Sequence, residues 1–430
     1  MYTARHIASK VTRMKIGYLI QQEVELRQPP YNGPANHTRE LVRSFQSLGH
    51  EVRVLFRAGD QLWMTDDLEN FTHLVVPWAD RGLLRILERL SRRIQYELKL
   101  PYAALFESLR FAGACTQELR GYDLLYERAT WVSYGAGLAA KHLDIPLILE
   151  DNGDHLADLD AKGIAPRGLQ RTLSLLLMKR AVFRAAHVIS TGEGWRRAFI
   201  SRWGYPPDHV TTVENGTHLC ELLPHSALKI FTQPPTPTGR IRLIYLGGFY
   251  PWHGFDVLIP AFQAALQVNP NLHLTLIGAG SGMADALSKV KEAGLSAAVT
   301  FTGHLSPVEY APILASADIG LSPYCGWPEY SGLKILDYKA AGLACIASGK
   351  DGMPPTLTHD QTGLIIHPCN PAALEAAILQ LSGNYPLRIQ MGQQNRLEAE
   401  QIYTWEQTAR RIELVLANTV RGYTKTKLPK

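Results

Sequence analysis

The chain has 430 residues, two to three times a common domain length, so at least two domains are expected, each able to bury its own core. Hydrophobic residues make up 46% and charged residues 19%, with a mean hydropathy of -0.09, which excludes a disordered or fibrous chain. Lys and Arg number 44 against 39 Asp and Glu, and the resulting +5 is spread too thinly to argue for a nucleic-acid partner; none is expected.

Five cysteines, at 115, 220, 325, 345 and 369, show no Cys-x-x-Cys and no paired spacing. Neither a disulfide framework nor a zinc ribbon is expected, and a reducing cytosol fits. The longest purely apolar runs, such as Leu175-Leu176-Leu177-Met178, fall far short of the roughly 20 residues that span a bilayer. Ahead of Met14 the chain carries Arg5, Lys10 and Arg13 but no apolar stretch, which reads as an extension or a misassigned start rather than a secretory leader.

Short β-branched runs recur between helical patterns at 15–20, 51–56, 73–76, 123–126, 146–150, 187–190 and 210–213. Seven strands alternating with helices predict a parallel, doubly wound sheet. Between the third and fourth runs, residues 81–99 read as a basic amphipathic helix, with Arg81, Arg85, Arg89, Arg92, Arg93 and Lys99 beside Leu83, Leu84, Ile86, Leu87, Leu90 and Ile94. Such a helix suits an anionic membrane surface, which makes 79–100 a candidate contact; a basic face turned to solvent is the competing reading. Residues 167–184 carry the same ambiguity. Gln233-Pro234-Pro235-Thr236-Pro237-Thr238-Gly239 then breaks the periodicity with turn formers.

A second series follows at 242–246, 273–277, 299–302, 319–323, 344–347 and 363–367. The expected division is therefore an N-terminal Rossmann-like domain over 1–232, a linker over 233–240 and a C-terminal Rossmann-like domain over 241–430, whose last helix is allowed to cross back to the first. Two doubly wound α/β sheets facing each other collect ligands at the carboxyl ends of their strands, in a shared cleft.

Residues 329–342 carry the most chemistry. Ser331 suits an N-cap, Gly342 suits the C′ position, and Leu333, Leu336 and Ala340 form one apolar stripe, so a three-turn helix is predicted. Backbone N–H groups at Gly332 and Leu333, the positive end of the helix and the Lys334 ammonium could hold a diphosphate without a metal. Glu329 and Asp337 are placed to bond the hydroxyls of a sugar and a ribose. Taken alone, such a segment also reads as an ordinary capped surface helix.

Glu329-x7-Asp337 followed by Ala340-Ala341-Gly342 resembles the Glu-x7-Glu signature of glycosyltransferase family 4. Further matches run in order along nearly the whole chain: Tyr31-Asn32-Gly33-Pro34 with His37, Gly49-His50-Glu51-Val52, Asn215-Gly216, Gly247-Gly248 through His253-Gly254, Gly278-Ala279-Gly280, Gly303-His304 and Thr362-Gly363. Each is weak alone, and the ordered set is specific. The resemblance implies a GT-B fold and a retaining, metal-independent transfer from a nucleotide diphosphate sugar, with no further cofactor. It implies that Gly33 approaches the donor phosphates, that Asp337 binds ribose, that Glu329 binds the transferred sugar and that the backbone near His304 meets the base.

The chain departs from the family where an Arg and a Lys usually flank the opening loop of the second domain; here Gly248 and His253 stand instead. His253 is then expected to donate to phosphate, with the N–H of Gly254, leaving Lys334 as the main formal charge. Asn152 replaces a histidine within Glu150-Asp151-Asn152-Gly153-Asp154, so it can bond a sugar hydroxyl but cannot serve as a base near neutral pH. Together with His37 it forms the expected acceptor side. Asp337 in place of Glu shortens the reach to a ribose by one methylene, and Pro355 stands where an acidic residue is common.

Asp158-Leu159-Asp160 imitates a metal-diphosphate motif but reads as a solvated loop, and no metal site is expected. Gly278-Ala279-Gly280-Ser281-Gly282 imitates a dinucleotide fingerprint without its third glycine or ribose-binding acid, so an NAD-linked oxidoreductase is the weaker reading. A hydrolase pair made of Glu329 and Asp337 finds no other support. The sequence thus predicts a cytoplasmic glycosyltransferase, peripheral on the membrane in one version, that moves a hexose-like sugar to a carbohydrate or lipid-linked glycan of the bacterial surface. A degenerate sugar-nucleotide-binding subunit is the rival, and retention of Glu329, Lys334 and Asp337 weighs against it.

Overall fold

The computed structural model describes residues 12–29, 31–98, 105–161, 163, 165–232, 239–326, 332–349 and 356–425. The chain forms two compact units, Met1–Val213 with Ala409–Lys430, and Glu214–Thr408. Residues 214–232 therefore group with the second unit, against the expected boundary, and most of the expected 233–240 linker lies outside the described residues.

The first unit contains β1 (Lys15–Glu23), α1 (Gly33–Ser47), β2 (Glu51–Ala58), β3 (Gln61–Thr65), β4 (Thr72–Leu74), α2 (Pro77–Asp80), α3 (Leu83–Glu97), α4 (Leu105–Glu118), β5 (Leu124–Arg128), α5 (Gly135–Leu143), β6 (Leu147–Asp151), α6 (His155–Ala161), α7 (Gly168–Val182), β7 (His187–Ser190), α8 (Glu193–Trp203) and β8 (Val210–Thr212). Its sheet runs β4-β3-β2-β1-β5-β6-β7-β8. The strands are parallel from β2 to β8, while β3 and β4 form an antiparallel edge. That edge is the departure from the expected seven-strand sheet: Gln61–Thr65 is short and polar at its ends, and it pairs by a tight turn after β2 rather than by a crossover.

The second unit contains α9 (Leu219–Leu222), α10 (Lys229–Thr232), β9 (Ile241–Leu246), α11 (Phe255–Val268), β10 (Leu272–Ile277), α12 (Met283–Glu292), β11 (Val299–Gly303), α13 (Pro307–Ala315), β12 (Ile319–Pro323), α14 (Leu333–Ala340), β13 (Ala344–Ser348), β14 (Gly363–Ile365), α15 (Pro371–Gly383) and α16 (Tyr385–Gln401). The last helix, α17 (Trp405–Lys425), joins the first unit from Ala409 onward. The sheet order is β11-β10-β9-β12-β13-β14, all parallel. Every residue of β12 and β13 is buried, as strands covered on both faces must be. Strand order reverses between β9 and β12, and the loops leaving their carboxyl ends meet at that switch point.

Three local expectations are corrected. Asp158-Leu159-Asp160 lies in helix α6 rather than a loop, and Asp160, exposed as expected, is paired with Arg171 at 2.9 Å. Cys325 and Cys369 form a disulfide, because the chain leaves the carboxyl ends of β12 and β14, parallel strands separated by β13 alone, a proximity that linear spacing does not reveal. On α3 the charged and apolar faces are reversed from a solvated basic helix. Arg85 bonds Asp60 at 2.7 Å and Glu88 at 3.0 Å, Arg92 reaches Glu107 at 3.3 Å, and Arg110 of α4 reaches Glu88 at 3.5 Å. Glu88 and Glu107 are buried among these arginines, while Leu83, Ile86, Leu90 and Ile94 stand exposed.

Candidate active site

After β9 the second unit runs through Gly247-Gly248-Phe249-Tyr250-Pro251-Trp252-His253-Gly254 and turns into α11. Two donors lock this loop on one carbonyl: Tyr245 Oη donates to Gly248 O at 2.6 Å and His253 Nδ1 at 2.5 Å. A carbonyl only accepts, so Nδ1 carries the hydrogen and Nε2 is left as an acceptor. Burial first, then the neighbouring Lys334 charge, push His253 down to about 3, so the ring is neutral near pH 7. This differs from the expected phosphate donor: His253 supplies no positive charge, and its proton is spent within the loop. Gly254 is required by geometry, since it holds φ at 74° and a Cβ there would lie 1.7 Å from Pro323 O.

Helix α14 is flanked by Gly332 at its N-cap, with φ of 59°, and Ala341 at its C-cap, with Gly342 at φ 66° in the C′ position. It has eight residues, two turns rather than the expected three, because its described N-cap is Gly332. Glu329 and Ser331 lie outside the described residues, as does Pro355. Leu333 opens the helix and Lys334 follows, 9% exposed. The Lys334 ammonium sits 4.5 Å from the ring centre of Tyr324 and 4.7 Å from that of Tyr245, with Tyr324 Oη at 3.5 Å. Aromatic faces carry negative charge density, so these rings hold a cation at a place where little water can.

One turn later, Asp337 accepts from Thr217 Oγ1 at 2.8 Å and from Tyr310 Oη at 3.0 Å. Burial raises its carboxyl to about 6 despite those hydrogen bonds and the nearby His218. Each oxygen keeps a second lone pair, so hydroxyls of a ligand could still be accepted. His304 stands exposed past the end of β11.

In the first unit the strand ends place a second polar group. Arg128 Nη1 donates to His37 Nδ1 at 3.1 Å; a guanidinium cannot accept, so His37 Nε2 holds the hydrogen it gives to Glu150 Oε1 at 2.9 Å. Asn152 Nδ2 donates to the same oxygen at 2.8 Å, and Tyr18 Oη lies 3.3 Å from Oε2. Burial opposes the Glu150 charge, but His37, Arg128 and Asn152 outweigh it and hold the carboxyl at about 2. Gly33 is the first residue of α1, capped by Asn32, and a Cβ there would meet no atom within 4 Å.

The structure thus brings Lys334, Gly248, Gly254 and His253 together in one unit, and His37 with Asn152 in the other. Sequence reasoning missed Glu150 and Arg128, which organise the second pair, and Tyr245 and Tyr324, which hold Lys334. Strand-end tyrosines carry no spacing signal; the Glu150-Asp151-Asn152 run was the available hint. Among the described residues, no group of three or more His, Cys, Asp or Glu could hold a metal ion.

Two parallel-sheet α/β units with loops gathered at the switch points define the class of two-domain GT-B transferases. Sucrose-phosphate synthase from Thermosynechococcus elongatus shares the fold at a TM-score of 0.67 and 20% identity, covering 95% of this chain and all (100%) of that one. The Anabaena protein HepE, solved in complex with UDP, does so at 0.65 and 15% identity, covering 94% and 100%. Residues 240–384 match the family described as glycosyl transferases group 1, and residues 32–216 match the glycosyl transferase 4-like domain. A D-inositol 3-phosphate glycosyltransferase of Arthrobacter sp. (strain FB24) is 26% identical over 330 residues, 72% of this chain and 75% of that one. The corresponding enzyme of Corynebacterium aurimucosum is 24% identical over 317 residues, 70% and 72%. The chain belongs to the family 4-like glycosyltransferases, and it is an enzyme that transfers sugar from a sugar nucleotide.

Proposed function

We propose that this enzyme moves a hexose-like sugar from a nucleotide diphosphate sugar to a carbohydrate or lipid-linked glycan of the bacterial surface, in the cytoplasm, with retention and without a metal ion. The observation that carries the reading is Lys334, a buried ammonium enclosed by Tyr245 and Tyr324 at the start of α14. As the glycosidic bond breaks, charge develops on the departing diphosphate, and a fixed cation in a water-poor site stabilises it more than it stabilises the bound donor. Relatives and neighbours support the substrate class: the curated relatives are named for an inositol phosphate acceptor, and HepE was solved with UDP and with UDP-glucose.

The weak basicity of two expected acceptor-side groups supports retention. Asn152 takes no proton near neutral pH, and Glu150, held at about 2 by its partners, is too weak a base to activate an acceptor hydroxyl. In this reading the departing phosphate oxygen takes that proton, with the acceptor approaching on the face the leaving group vacates. The test is to incubate the purified protein with a panel of nucleotide sugars in excess EDTA, measure nucleoside diphosphate release and read the product anomer by NMR. Loss of release in EDTA with recovery in magnesium, or an inverted anomer, overturns the reading.

The outward face of α3 supports peripheral membrane contact. Leu83, Ile86, Leu90 and Ile94 are exposed beside the exposed Arg89 and Arg93, the pairing of apolar wedge and basic rim that an anionic lipid surface accepts. Among the described residues, no helix is long and apolar enough to cross a membrane. Ile86→Asp with Leu90→Asp should abolish co-sedimentation with phosphatidylglycerol vesicles; unchanged co-sedimentation rejects this face. Arg85 and Arg92 are unsuitable for that test, since both belong to the buried ion network.

A further inference from the structure

We propose that Cys325 and Cys369 form a thiol–disulfide site that governs donor binding, an inference that rests on Lys334 being the cation of the donor site. The two residues are bridged across 44 positions of sequence. Cys369 is exposed and Cys325 half-buried, so a dithiol can reach the bond. Cys345, by contrast, is a buried thiol that burial raises to about 12, out of reach of such exchange.

The bridge acts on Tyr324, the residue next to Cys325. The Tyr324 ring forms one wall of the Lys334 pocket at 4.5 Å and packs against the His253 ring at 4.9 Å. The Cys325 N–H donates to Trp252 O at 3.0 Å, one residue before His253. A continuous set of contacts therefore runs from the disulfide through Tyr324 to the Lys334 ammonium. While the bridge is closed, Cys325 is tied to the segment between β14 and α15; opening it removes that covalent tether one residue from Tyr324 and leaves the Cys325 N–H bond to Trp252 O to hold the segment.

The exchange balances with a dithiol as the co-reactant. Its thiolate attacks one sulfur of the bridge, the Cys325–Cys369 bond breaks to a mixed disulfide, and the second thiol of the reductant displaces the protein sulfur. The protein gains two electrons and two protons as two thiols, and the reductant leaves as a cyclic disulfide. In compartments that hold such reductants, disulfides are rare and as a rule transient, catalytic or redox-sensing.

The experiment uses the full chain, oxidised with glutathione disulfide or reduced with dithiothreitol, and titrates UDP, ADP and GDP in turn by calorimetry. Peptide mapping of the oxidised, alkylated protein should recover Cys325 linked to Cys369. The reduced form should bind its nucleoside diphosphate about fivefold or more weakly, with recovery on reoxidation. Cys369→Ser should match the reduced form and ignore dithiothreitol; the oxidised and reduced comparison needs no variant and decides the matter if that protein does not fold. Equal affinity of the two forms, with Lys334→Met still weakened, overturns the redox site alone, as does alkylation of both cysteines without reductant. No binding in either form overturns the donor assignment and this inference with it.

Discussion

Lys334→Met separates the catalytic charge of the donor site from its packing. Methionine keeps the aliphatic stem and the helix propensity of lysine, so α14 should persist. Lys334 is 9% exposed and its ammonium lies 4.5 and 4.7 Å from two ring centres, so solvent has little access to its place. With His253 neutral, the described loop after β9 supplies no second formal charge. Removing a preorganised donor from a developing oxyanion costs about 2.7–4 kcal/mol, and at about 1.4 kcal/mol per tenfold the expected fall in kcat is a hundredfold or somewhat more. Stability should move little. The variant loses two cation–π contacts of about 0.5–2 kcal/mol each, but it is also relieved of the desolvation that a buried ammonium incurs. Steady-state kinetics, nucleoside diphosphate titration and thermal unfolding together check this. A kcat within tenfold of wild type, in a variant with unchanged Tm, would refute the assignment of Lys334 as the cation on the leaving group.

Glu150→Gln should cost about 2–3 kcal/mol in urea unfolding, because it leaves the half-buried Arg128 without its counter-charge, whereas Asn152→Ala at the edge of the same group should cost under about 1.5 kcal/mol. Equal small losses would show that the network contributes little. Because His253 is held neutral down to about 3 while an unfolded histidine protonates near 6.5, the unfolded chain binds the extra proton in that window. Stability from this group is therefore full above about 6.5 and is lost as pH falls, by up to about 1.4 kcal/mol per pH unit; His253→Gln should flatten the slope between pH 6 and 4, and an unaltered slope contradicts the argument. Gly254→Ala should disable donor binding, since the new Cβ must displace Pro323 O at the end of β12; near-normal titration of nucleoside diphosphate would show that the loop yields.

What could be read from the sequence was what repeats or stands at fixed offsets. Alternation of β-branched runs with helices located all six strands of the second sheet, most plainly β12 and β13, which are buried throughout and read as short apolar blocks. Gln61–Thr65 escaped because it is short, only two of its five residues are buried, and it carries no such block. The position of Lys334 was legible from its spacing to Asp337 and Gly342, but its aromatic enclosure was not, since Tyr245 on β9 and Tyr324 just after β12 are far apart in the chain. The reversal of α3 shows the same limit. Its amphipathic pattern is plain in sequence, yet which face turns inward was decided by Glu107 and Arg110 of α4, which extend the buried ion network beneath it.

The first unit is built from both ends of the chain. Ala409, Ile412 and Leu416 of α17 are buried in it, and Glu413 meets the imidazole of His50 at 3.0 Å. During synthesis the strands up to Val213 leave the ribosome long before these residues exist. The N-terminal unit must wait, with part of its surface uncovered, while all of Glu214–Thr408 is made and folds. Removing the final helix would therefore injure the beginning of the protein rather than its end, and a chaperone that shields the early strands would shorten the interval in which they can aggregate.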